Sequence, residues 1–281
     1  MAVDRRQHHV PATYLQFFDH RGTNHGRDSQ LYASEENRSF LVGVENVAVE
    51  AYLYSKKNPT DAERFFHETE HSYSRVVERI MQGEIRPPDA ALVGIQWMIM
   101  HFRNAKYDFE GFDERIEAVE HSTERYLNEI FLGEEDLPEM DNAAQYIYNT
   151  WALQLIHAND DSFITSDNPA LLFTIGKGGK DNIVAMMLPL CPQFIAVIRK
   201  RGKTKAISDQ ATATDIGRLN GLQVVSFRHF VFSAEPIEQE DRERIGNISR
   251  RYPFTNGMLA TDFWTPHALN NFEPGFSFIE W

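Results

Sequence analysis

Apolar and polar positions change rhythm along the chain. In "PTDAERFFHETEHSYSRVVERIMQG" the apolar residues Phe65, Phe66, Tyr73, Val76, Val77 and Ile80 fall along one stripe at helical spacing. Thr60 or Asp61 offers an N-cap and Gly83 a stop, so a helix is expected between them. After Pro87 and Pro88, "DAALVGIQWMIMHFRNAKYDF" is nearly all apolar, the composition of a central helix covered on several sides. Two more helices are expected over "DERIEAVEHSTERYLNEIF" and "MDNAAQYIYNTWALQLIHA", with the acidic linker "LGEEDLPE" between them.

From Phe163 onward the runs are short, rich in β-branched and aromatic residues, and punctuated by Gly, Pro, Asn and Asp. "SFITS", "ALLFTI", "IVAMMLPL", "FIAVIRK", "LQVVSF" and "HFVFSA" read as strands. Helices are expected at "DQATATDIGRLNGL" and "EQEDRERIGNISRRY", and "PGFSFIEW" reads as an edge strand. Ahead of the helical part, "QLYASEENRSFLVGV" has the form of a hairpin, and "NVAVEAYLYSKKNPT" of a short helix or extended segment. The pattern predicts an α+β fold, with an N-terminal helical half packed on a mostly antiparallel C-terminal sheet. A single domain over 1–281 is expected, helix-rich at 45–160 and strand-rich at 161–281, with segment 1–44 packing between them.

Charge narrows the partners. The chain carries 28 basic against 41 acidic residues, a net −13, so nonspecific binding to a nucleic acid is not expected. A local basic pocket for a small-molecule or nucleotide-like substrate remains compatible, as does a protein partner on the acidic surface. The lone Cys191 leaves no disulfide framework and no thiolate metal cluster, which fits a reducing compartment. "MAVDRRQHHVPATYLQFF" lacks the apolar core and cleavage site of a secretory signal, and "AALVGIQWMIMHF" falls short of the roughly 20 residues of a membrane span. A cytoplasmic location with no membrane association is expected.

The stretches "HHVPATYLQFF", "FITSDNP" and "LPLCP", read together, resemble a family of uncharacterised, mainly bacterial proteins, domain of unknown function 4238. "HHVPATYLQFF" is similar to its His-x-x-Pro-x-x-Tyr-Leu-x-x-Phe opening at His8, Pro11, Tyr14, Leu15 and Phe18. "FITSDNP" matches its Thr-Ser-Asp-Asn-Pro element at Thr165 to Pro169, and "LPLCP" its Pro-Leu-Ser-Pro element, with Cys191 where serine is common. "ENVAVEAYLYS", "GIQWMIMHFRNAKY" and "RLNGLQVVS" match more loosely; Asn104-Ala105 follows Arg103 where the family has Thr-Pro. The resemblance runs from about His8 to Ser233 and implies a shared fold and a shared site, but no reaction.

The chemistry is argued from the residues. Asp167-Asn168-Pro169 is either a turn that ends a strand or a carboxylate held over a cleft. His8, near Pro11 in an extended segment, suits a general acid or base, or a buried strut. Arg103, following an apolar helix, suits a clamp on a carboxylate or phosphate, or a plain salt bridge. Grouped in one cleft, His8, Asp167 and Arg103 suit hydrolysis or transfer at a phosphate ester, with Asn168, Asn220 and Tyr14 as substrate contacts. In that scheme Asp167 orients the histidine or holds a divalent metal ion. The alternative is a non-catalytic protein-binding module in which His8 and Asp167 form a structural strut. A third reading takes "HETEH", with His67 and His71 four apart, as a zinc peptidase helix. "GKGGK" lacks the spacing of a phosphate-binding loop and reads as a flexible hairpin.

Overall fold

The computed structural model describes residues 6–22, 24–51, 59–86, 89–105, 151–159, 162–174, 183–200 and 209–251. The fold is α+β. Strand β1 (Arg6–His8) pairs antiparallel with β4 (Val49–Ala51), and helix α1 (Ala12–Leu15) follows it, continuing as a 3-10 turn at Gln16–Phe18. The expected hairpin forms from β2 (Gln30–Glu35) and β3 (Arg38–Gly43), turning at Glu36-Asn37 with Glu35 opposite Arg38. An Arg38 Nε–Glu35 Oε1 contact of 2.6 Å closes the turn.

Just before the hairpin, the Asp19 carboxylate gathers its surroundings. It accepts the Arg21 amide at 2.9 Å, the Arg21 guanidinium at 2.9 and 2.7 Å, and the Gln30 amide at 3.3 Å. Burial alone would push this carboxyl up, but the Arg21 fork, the Arg21 amide and the Ser29 hydroxyl outweigh it and hold it well below the usual carboxylate range.

Helix α2 (Pro59–Met81) begins one or two residues ahead of the expected Thr60 or Asp61 cap. Proline suits the first helical position because its missing N–H has no partner there in any case. The helix stops at Gly83, whose φ of +80° lets its N–H reach Ile80 O at 2.9 Å while the Glu84 N–H reaches Arg79 O at 2.9 Å. Helix α3 (Asp89–Ala105) is docked by a contact between Arg79 and the buried Asp89, and by Trp97 Nε1, which donates to Leu171 O at 3.0 Å. Among the described residues no helix is long and apolar enough to cross a membrane.

The remaining strands are β5 (Trp151–Ala158), β6 (Thr165–Ser166), β7 (Leu171–Thr174), β8 (Ile183–Cys191), β9 (Phe194–Lys200), β10 (Gln210–Ala211) and β11 (Val231–Ser233). One sheet has the order β10-β5-β9-β8-β7, antiparallel except where β10 meets β5. A second, antiparallel, has the order β3-β2-β11-β6 and so joins the N-terminal hairpin to C-terminal strands. The sheet is therefore not only a C-terminal feature onto which a helical half packs.

Two elements differ from expectation. Trp151–Ala158, expected as helix, is a strand paired with β9 from Trp151↔Lys200 to His157↔Phe194. Its long-range partner decides, because a mostly apolar run of eight residues satisfies either period. "LQVVS", expected as strand, is instead the second half of helix α4 (Ala213–Ser226). A capping box starts that helix: Thr212 accepts from the Asp215 amide at 3.2 Å, and the Thr212 amide donates to Asp215 Oδ2 at 3.0 Å. Helix α5 (Gln239–Arg251) lies where expected. The helix over "DERIEAVEHSTERYLNEIF", the first part of "MDNAAQYIYNTWALQLIHA", the "GKGGK" hairpin and the "PGFSFIEW" strand lie outside the described residues.

The five-stranded sheet is covered on both faces. Met186, Leu188, Ala196 and Ile198 join a core with Tyr14, Phe18, Tyr73, Val77 and Trp97. Their chain neighbours Ala185, Met187, Ile195 and Val197 join a second core with Ile216, Leu219 and Leu222 of α4. Double cover explains why "IVAMMLPL" and the "FIAVI" of "FIAVIRK" read as unbroken apolar runs with no polar face.

Candidate functional site

The motif segment Ser162–Pro169 runs between β5 and β7, and α4 lies along it. Asn220, Gln223 and Ser226 are three residues apart on one face of α4. Asn220 Oδ1 accepts the Ile164 N–H at 3.0 Å and its Nδ2 donates to Ser162 O at 2.9 Å. Gln223 accepts the Ser166 hydroxyl at 3.0 Å and donates to Pro169 O at 3.1 Å. Asn168 Nδ2 donates to Ser226 O at 3.0 Å, and the Ser226 hydroxyl lies 3.0 Å from Asn168 O. One helix face thus engages the segment step by step.

Asp167 closes the other side. Its backbone N–H donates to Phe230 O at 3.1 Å. Its Oδ1 accepts the Arg228 amide at 2.7 Å, and its Oδ2 accepts the amides of His229 at 2.7 Å and Phe230 at 3.1 Å. The residue is 1% exposed. Burial pushes this carboxyl above its ordinary range, against the pull of the three amide donors. Both oxygens are occupied, and what they hold is the turn that leads from α4 into β11.

Tyr14 brings in the other two shared motifs. Its phenol oxygen is 2.6 Å from Thr165 Oγ1 and 2.7 Å from Pro189 O. A carbonyl only accepts, so the Tyr14 hydrogen goes to Pro189 O and the Thr165 hydroxyl donates to Tyr14. Burial pushes the phenol far above its usual range and keeps it protonated. Cys191, in the same "LPLCP" stretch, is buried and its thiol is pushed up to about 11, again by burial, so it stays a thiol at neutral pH. The His-x-x-Pro-x-x-Tyr, Thr-Ser-Asp-Asn-Pro and Leu-Pro-Leu-Cys-Pro stretches therefore converge on one buried, hydrogen-bonded lock.

Of the six candidate site residues, the structure gathers Tyr14, Asp167, Asn168 and Asn220 in or beside this lock. His8 is half-buried on β1 opposite Val49. Arg103 lies near the end of α3 and its side chain is outside the described residues. Of the HETEH pair, His71 is exposed on α2, and the side chain of His67 is outside the described residues. Among the described residues no three of His, Cys, Asp and Glu gather as metal ligands. The residues not foreseen are Thr165, Ser166, Pro189, Gln223 and Ser226. A signal for two of them exists: continued as a helix, "RLNGLQVVS" carries Asn220, Gln223 and Ser226 onto one face.

A family model described as a protein of unknown function, DUF4238, matches residues 6–236. No curated protein and no solved structure matches the chain.

Proposed function

The chain belongs to the DUF4238 family, and from that premise we propose that it is a non-catalytic binding module whose family motifs are the struts of the buried lock. The observation that carries this reading is Asp167, 1% exposed, with both oxygens committed to the amides of Arg228, His229 and Phe230. A carboxylate that activates a substrate or orients a catalytic imidazole needs a free lone pair facing an opening. The polar partners of Tyr14 and Asn168 are likewise internal. Hydrolysis or transfer at a phosphate ester by His8, Asp167 and Arg103 would need those oxygens released, and a divalent ion would need them too. The compartment we assign is the reducing cytosol, in keeping with a single buried thiol. The partner is a small molecule or a protein, and not a polyanion.

The test is a pair of measurements on the full chain. Asp167→Asn keeps the size of the side chain but turns one acceptor into a donor facing amide donors. The module reading expects a markedly lower melting temperature in this variant, and wild-type protein that releases no phosphate from nucleotides, RNA or an aryl phosphate. Turnover by the wild type that Asp167→Asn abolishes at an unchanged melting temperature would establish the phosphate-ester reading instead.

A further inference from the structure

We infer that the cleft between the N-terminal segment and α2 binds a small zwitterion, its anionic group between His71 and Arg75 and its cationic group at Glu78. The cleft encloses about 440 Å³, within the range of small-molecule sites. One wall carries Thr13 and Gln16; the floor carries His71, Ser74, Arg75 and Glu78, which share one face of α2.

The inner polar groups are satisfied. The Thr13 hydroxyl donates to Glu70 Oε2 at 3.0 Å, Gln16 Nε2 to Ser74 Oγ at 3.4 Å, and the Ser74 hydroxyl to Glu70 O at 3.1 Å. This network fixes the back of the cleft. The charges at its mouth are different. Arg75 and Glu78 have opposite signs and stand three residues apart on α2, a spacing that favours pairing. Among the described residues neither side chain forms an ion pair or hydrogen bond with the other or with any neighbour, and the exposed His71 is equally uncommitted. Elsewhere such pairs do form: Arg244 reaches Glu240 at 2.8 Å and Asp241 at 3.1 Å on α5.

An open guanidinium beside an imidazole suits a carboxylate or a phosphate group. The open Glu78 carboxylate disfavours an anion alone, and Arg75 disfavours a cation alone. A molecule with both charges a few ångströms apart satisfies all three side chains. The anionic group belongs either to an amino acid or to a phosphate ester carrying an amine. This inference names a ligand class for the module and rests on that reading.

Isothermal titration calorimetry of the full chain tests it, with the free amino acids and phosphoethanolamine as probes and acetate, inorganic phosphate and ethanolamine as their separate halves. The expected result is saturable binding of at least one zwitterion, roughly tenfold or more tighter than either half. Amino acids or phosphoethanolamine alone binding would identify the anionic group. Arg75→Ala should weaken binding about tenfold, and Glu78→Gln should weaken the zwitterion but not the anionic half. No saturable binding of any zwitterion, or binding unchanged in both variants, overturns the site. The bound probe should be recovered chemically unchanged; binding followed by conversion to a product would leave the site standing and overturn the module reading alone.

Discussion

Thr13 and Tyr14 are neighbours on α1, yet they serve two unlike regions. Tyr14 enters the lock, where its phenol is fully buried and both of its hydrogen-bond roles are filled by Thr165 and Pro189. Thr13 lines the cleft over α2, where Arg75, Glu78 and His71 are exposed and open. In the first region almost every polar group is spent on the protein itself. One atom, Asn168 Oδ1, is buried without a partner among the described residues. In the second, charges that geometry would let pair form no ion pair among the described residues. A buried polar group left unpaired costs about 1–3 kcal/mol, so satisfied groups like those of the lock are read in stability. Exposed unpaired charges cost little and are read in binding.

Substitutions can break this contrast, the largest effects lying in the lock. Asp167→Asn sets a donor against amide donors and should cost about 3 kcal/mol, lowering the melting temperature by roughly 10 °C. Thermal unfolding followed by circular dichroism measures it. Next comes Tyr14→Phe, which strands Pro189 O and the Thr165 hydroxyl and should cost about 1–3 kcal/mol. A double-mutant cycle with Thr165→Val, run by chemical denaturation, should return a coupling of at least about 0.5 kcal/mol. Additive losses would mean that the two hydroxyls do not act on each other.

Acid tests the N-terminal segment that feeds both regions. The Asp19 carboxyl is held low in the folded state, so its contribution is fully present above the unfolded value of about 3.9. It is lost as the pH falls from there toward the depressed folded value. The stability gap between wild type and Asp19→Asn should therefore be widest near neutrality and close below about pH 4, measured as melting temperature against pH. The smallest effects belong to the cleft: Arg75→Ala and Glu78→Gln should each change stability by no more than about 0.5 kcal/mol while changing binding. A large loss of stability in either would make the cleft a second structural element.

Much of the fold was legible because local chemistry and tertiary context agree. The β2–β3 hairpin, α2, α3, β8, β9 and α5 each carry a periodicity or a turn signal that the structure uses. Trp151–Ala158 was not legible, since its strand state depends on pairing with residues 37 to 49 positions away. "LQVVS" misled for the opposite reason: its β-branched pair Val224-Val225 favours strands, but the capping box upstream and the apolar contacts of Leu222 and Val225 extend the helix. For the site, the sequence picked out Asp167 with two readings left open. Residue type cannot separate a carboxylate over a cleft from one that holds a turn, because the deciding donors are backbone amides sixty residues later, invisible to any motif. Tyr14, Asn168 and Asn220 were singled out for chemistry, and the structure puts them to internal bonding.

Native-state hydrogen exchange at the amides of Arg228, His229 and Phe230 tests the lock most directly. His229 is exposed and Arg228 and Phe230 are only half-buried, so in an ordinary surface turn these protons would exchange quickly. Held by Asp167, they should exchange as slowly as amides in the centre of β9, and Asp167→Asn should release all three. Rapid exchange of these amides in the wild-type protein would mean that the carboxylate is free for other work, and would contradict the lock.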